Sequence, residues 1–132
     1  FCTQTAVKGV HGSPRHISDA EIDAIAATGG VIGIIFAPFF LTGQLKADST
    51  CVADHAAYVA DRVGVDHLGI GSDYDGWIPS IPSDQRDCRD IEKVAEALRE
   101  RGFSDPEVDQ IMGGNALEML SGARRSSRDA GS

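Results

Sequence analysis

The chain has 132 residues, 42% of them hydrophobic and 24% charged, the composition of a soluble globular protein. Its net charge of −8 argues against a nucleic-acid binder or an anionic membrane partner, which call for a basic face. The three cysteines (Cys2, Cys51, Cys88) form no C-x-x-C pair, which argues against a disulfide framework or a thiolate zinc site. Unpaired thiols favour a cytoplasmic setting.

Phe1-Cys2-Thr3 reads as the tail of a strand, so the sequence opens like the interior of a longer chain. A polar loop follows, through His11, Pro14, Arg15 and His16. Residues 18–30 then predict a helix: Ser18 is the N-cap, Glu21 completes a capping-box spacing, Ile22, Ile25 and Ala26 form an apolar stripe, and Gly29-Gly30 stop it. Val31 to Ala37 is continuously apolar and β-branched, the pattern of a strand buried on both faces; Pro38 ends it. At 11 residues, the apolar run 31–41 is far short of the roughly 20 that span a bilayer. Residues 39–48 read as loop and 50–63 as a second helix, with Val52, Ala56, Val59 and Val63 on one face and Gly64 at its end.

His67 to Asp73 is a short strand whose glycines imply that something approaches its backbone closely. A turn-rich loop runs through Asp75-Gly76, Pro79 and Pro82. A third helix is predicted over 89–101. A fourth begins at Ser104, with Pro106 in its first turn and Glu107 at the capping-box position. Residues 113–120 continue helically after a Gly-Gly break, and 121–132 read as a disordered tail. Strands alternating with helices predict an α/β fold with a parallel sheet. So few strands leave long apolar edges, so residues 1–120 read as part of a larger α/β protein.

Chemistry-bearing residues cluster where strands end. Asp73 and Asp75 sit at the C-terminal end of a parallel strand, where α/β active sites collect; the alternative is a turn in which both cap backbone N–H groups. Arg15 offers a planar fork suited to a carboxylate; the alternative is a solvated surface arginine. None of the four histidines pairs at metal-ligand spacing. His55, inside an amphipathic helix, reads as a packing or surface residue, and His67, at a strand start, as structural.

Three stretches, SPRHISDAEIDAIAATGGVIGI, VADHAAYVADRVGVDHLGIGSDYDG and RGFSDPEVDQIMGGNALEML, resemble the C-terminal part of the membrane (renal) dipeptidase family. The resemblance implies the last two to three βα units of a TIM-type (β/α)8 barrel with two zinc ions at its C-terminal mouth, and hydrolysis of dipeptides or related small amides. It places Arg15 on the arginine that binds the substrate's terminal carboxylate. It places Asp73 on the aspartate that contacts the substrate near its amino group and handles protons at the scissile bond. Gly76 falls on a glycine whose N–H faces the carboxylate, and Phe40 where members often carry a tyrosine lining the pocket. Family members often pair, which leaves a homodimer open. The family's ligands are a His-x-Asp, a bridging Glu and two later His, of which only the last falls in this sequence. That position, eleven residues before Arg15, holds Gln4, and a neutral amide is a poor zinc ligand. A catalytically lapsed homologue that binds without turnover is therefore the alternative to a working dipeptidase.

Overall fold

The structure, a computed structural model, describes the backbone of residues 1–129 and side chains through Gly122. Three strands, β1 (Cys2–Thr5), β2 (Ile32–Ile34) and β3 (Leu68–Ile70), form a parallel sheet in the order β1-β2-β3. Helix α1 (Asp19–Ala27) connects β1 to β2, and α2 (Pro38–Thr42) and α3 (Ser49–Val63) connect β2 to β3. After β3 and a long loop come α4 (Glu92–Glu100), α5 (Asp105–Asp109), a π turn (Gln110–Gly114) and α6 (Asn115–Asp129).

Local sequence chemistry explains most boundaries. The Ser18 and Ser104 capping boxes both form, each serine and its glutamate satisfying otherwise orphan N–H groups. Asp48, rather than a residue inside the helix, caps α3, accepting from the Thr50 N–H at 3.1 Å. The expected loop over 39–48 is corrected: Pro38 ends the strand but also starts α2, because its fixed φ and missing N–H suit the first helical turn. The third helix likewise starts later than expected: Cys88–Asp90 form a single 3-10 turn before α4. The expected Gly-Gly break appears as the π turn, kinked at Gly113. Helix α6 passes Ser121, where a tail was expected, and continues to Asp129; residues 130–132 lie outside the described residues.

The main core lies between the sheet and α1, α3 and α4. Ile22, Ile32, Ile34, Phe36, Val52, Val59, Leu68, Val94 and Leu98 are buried in it. Every residue of β2 is buried, as its unbroken apolar run requires. His55 is packed at its centre: its Nδ1 accepts from the Val7 N–H at 3.0 Å, and its Nε2 donates to the Leu41 carbonyl at 2.9 Å. Of the packing and surface roles the sequence leaves open for His55, the structure shows packing. His67 behaves similarly, its Nδ1 lying 2.9 Å from the Gly30 carbonyl. The Asn115 amide donates to the carbonyls of Val65 and Leu68 at 2.8 and 2.9 Å, tying α6 to the start of β3.

Two glycines explain the sheet's close spacing. The register advances three residues along β1 against two along β2, so Thr3 and Gln4 sit in a bulge. The bulge drives the Thr3 carbonyl toward Gly33 and Gly71, where any Cβ would collide with it. The close approach implied by the glycine-rich third strand is therefore made by the chain's own first strand.

Candidate active site

The C-terminal ends of the three strands converge on one small area. Gln4 lies in the β1 bulge, Phe40 in the short helix after β2, and Asp73 in the loop after β3. Gln4 Nε2 donates to Asp73 Oδ1 at 3.1 Å. The Gln4 amide oxygen accepts from the Thr3 hydroxyl at 3.3 Å. Gln4, Arg15, His16, Ile35 and Phe40 line a small cleft beside this pair. The Arg15 guanidinium carbon lies 4.8 Å from the centre of the Phe40 ring, a cation–π contact. A small apolar cluster of Ala6, Ile35 and Ala37, with Phe40 and Ile78 packed on it, supports the cleft from below.

The loop carrying Asp73 has an unusual backbone. β3 ends at Ile70, so the backbone at Asp73 and Asp75 is not a continuing strand. Instead Asp73, Asp75 and Trp77 take φ of 59°, 62° and 61°, the left-handed region. Such conformations persist only where surroundings hold them. Here Tyr74 supplies the hold. Its ring packs edge-on against Phe36 at 5.6 Å, and its hydroxyl donates to the buried Gln85, whose amide donates to Ser49 at 2.9 Å. Gly76 has no room for a side chain because a Cβ would strike the Asp73 carboxylate. Its N–H donates to the Asp73 carbonyl at 3.0 Å, closing the turn. Trp77, next in sequence, is 99% exposed.

The four site residues inferred from sequence at the strand ends, Gln4, Arg15, Phe40 and Asp73, therefore come together, and Gly76 packs against Asp73. Tyr74, Gln85 and His16 were not assigned roles from sequence. The loop has no periodicity to show that Tyr74 turns inward while Asp73 turns to Gln4. A wider surface depression, lined by Asp61, Asp66, Arg101 and Gln110, lies at the opposite ends of the strands and shares no residue with the cleft. In α/β folds that end carries stability rather than chemistry.

Whether Gln4 suits a metal can be tested on its bonds. Its amide nitrogen carries no free lone pair and is turned to Asp73, and its oxygen is engaged by Thr3. Among the described residues, no group of three or more His, Cys, Asp or Glu could hold a metal ion. The donors present at this position do not fit zinc.

The family model for membrane dipeptidase (peptidase family M19) matches residues 1–131. The chain belongs to the membrane dipeptidase family. It is 36% identical over 110 residues to dipeptidase tcpJ of Claviceps purpurea, covering 80% of this chain and 25% of that protein. Among solved structures, it superposes on dipeptidase AC, a metallopeptidase of family M19, with a TM-score of 0.82 and 29% identity, over 89% of this chain and 36% of the other. It superposes equally well, with a TM-score of 0.82 and 28% identity, on a metallopeptidase from Rhodobacter sphaeroides bound to a phosphinate mimic of the dipeptide L-Ala-D-Ala; 90% of this chain and 34% of the other are covered. The chain thus spans a quarter to about a third of the length of these membrane dipeptidase relatives.

Proposed function

We propose that the full-length protein is a dipeptidase in which these residues form one part of the mouth of a (β/α)8 barrel. The observation that carries this reading is the convergence of Arg15, Phe40 and Asp73 at the C-terminal ends of parallel strands. Arg15 binds the substrate's terminal carboxylate. Its guanidinium presents a bidentate donor pair, and stacking on Phe40 fixes the plane of that fork. Asp73 stays an acceptor for the substrate's amino group and holds or releases a proton beside the scissile bond. Gly76 keeps space open for that carboxylate. The zinc ions that family chemistry implies would activate water in the loaded enzyme, held by ligands outside these residues. Gln4 does not fit that ligand set.

The Rhodobacter relative's bound dipeptide mimic supports a dipeptide with a free carboxylate as the substrate class here. The test is hydrolysis of L-Ala-L-Ala and L-Ala-D-Ala by the full-length protein with zinc supplied. Arg15→Ala should raise KM about a hundredfold, the loss of a bidentate charge-assisted pair. An unchanged KM would remove Arg15 from the site.

One observation favours a second reading. Gln4 gives Asp73 an amide donor where the family has a metal-binding imidazole. That describes a homologue that keeps the pocket and binds dipeptides or related amides without turnover.

A further inference from the structure

His16 directly follows the proposed carboxylate anchor, yet it is 3% exposed where Arg15 is open to solvent. Its Nδ1 lies within hydrogen-bond distance of the His11 carbonyl. A carbonyl only accepts, so Nδ1 carries the proton and the neutral ring presents a bare lone pair at Nε2. Burial pushes His16 below the usual histidine range, which keeps that neutral form. Nε2 is buried and has no hydrogen-bond partner. A buried acceptor left unmatched is costly, so a native structure seldom keeps one without a use.

The cleft itself narrows the choice of donor. His16 lines it together with Gln4, Thr5 and Arg15. The Thr5 hydroxyl donates to the Ala6 carbonyl at 3.0 Å, and the Gln4 amide is turned to Asp73. Arg15 makes no ion pair among the described residues, and its guanidinium has five N–H donors, more than one carboxylate consumes. The two side chains also share a support: Arg15 lies over the face of Phe40, and the His16 ring meets the same ring at 6.2 Å and 71°. His16 is itself braced from behind by His55, ring to ring at 6.3 Å.

We propose that His16 is a positioning residue for the carboxylate anchor: in the substrate-loaded site its Nε2 accepts a guanidinium N–H of Arg15, directly or through one water, and holds the fork in the plane the carboxylate needs. This rests on the reading of Arg15 as the anchor and assigns the neighbouring histidine a part in it.

The test compares a dipeptide with its C-terminal amide on the full-length protein. His16→Phe keeps a ring against Phe40 but removes the acceptor. It should raise KM for the free dipeptide about tenfold while leaving kcat, and kcat/KM for the dipeptide amide, within twofold. His16→Gln, which restores an acceptor at similar reach, should recover most of the loss. Equal losses on both substrates, or no loss on either, would overturn the proposal. If the protein binds dipeptides without turnover, the same comparison is made on calorimetric affinities. If it binds neither ligand, the anchor reading of Arg15 fails, and the role given to His16 is overturned with it.

Discussion

Gln4 Nε2 donates to Asp73 Oδ1 at 3.1 Å, a bond that joins the ends of β1 and β3 across 69 residues of sequence. β2 lies between those strands, so the contact depends on the bulge that re-aims Gln4 and on the left-handed backbone at Asp73. An amide donor held against a carboxylate is a different environment from an imidazole that shares a metal with its neighbours. The bond is the observation behind the proposal that metal binding is altered in the full-length protein.

Restoring the imidazole separates a working enzyme from a lapsed one. If the full-length protein does not hydrolyse simple dipeptides, Gln4→His should confer measurable turnover in a zinc-supplemented assay. An unchanged rate would count against Gln4 as the cause of the lapse.

Asp73→Asn isolates charge from shape. Asparagine tolerates the left-handed backbone found there, and its amide oxygen still accepts from Gln4. In an active full-length protein, kcat should fall about a hundredfold or more while the urea midpoint stays unchanged. A retained kcat would show that Asp73 handles no proton.

Much of this site was legible in sequence because its parts obey local rules. Capping boxes at Ser18 and Ser104 and the unbroken apolar run of β2 located the elements, and parallel strands placed their C-terminal ends together. Arg15 and Asp73 acquired meaning only from the family pattern, since an arginine after a proline and an aspartate in a turn have ordinary explanations. The Gln4–Asp73 bond, the Tyr74–Gln85 anchor and the buried His16 were not legible. Each depends on irregular backbone or on contacts between distant segments, which no periodicity encodes. Gly71, just past β3, is legible as a position of close approach, but its partner, the Thr3 carbonyl, is set by a bulge that has no sequence signature.

Gly71→Ala tests that packing. Its Cβ would collide with the Thr3 carbonyl and press on the Gly33 carbonyl, both backbone groups that cannot rotate away. The full-length protein should lose about 2–3 kcal/mol of stability, read as a lower urea midpoint at unchanged slope. Because the displaced strand carries Gln4, activity or ligand affinity should fall with it. A neutral substitution would mean that the bulge is free to relax.

Stability should also depend on acid through two buried histidines. Burial pushes His55 and His16 below the usual histidine value of about 6.5; neighbouring imidazoles act in the same direction on both, and Lys8 and Arg15 do so on His16. In His55, the Leu41 carbonyl and Asp54 oppose the shift; in His16, the His11 carbonyl does. The unfolded chain therefore binds more protons than the folded one just below that value, so stability rises with pH there. Their contribution is full above about pH 6.5 and is lost as pH falls through the depressed folded values. The urea midpoint at pH 5.5 should lie below that at pH 7.5, and His55→Gln should shrink the difference. An equal difference in that variant would assign the acid sensitivity to other groups.

The most direct test of the central claim, that Gln4 holds Asp73 in place of serving as a zinc ligand, is the zinc content of the purified full-length protein by elemental analysis. The Gln4–Asp73 bond predicts clearly fewer than two zinc ions per chain, rising toward two in Gln4→His. A content near two per chain in the unaltered protein would contradict it.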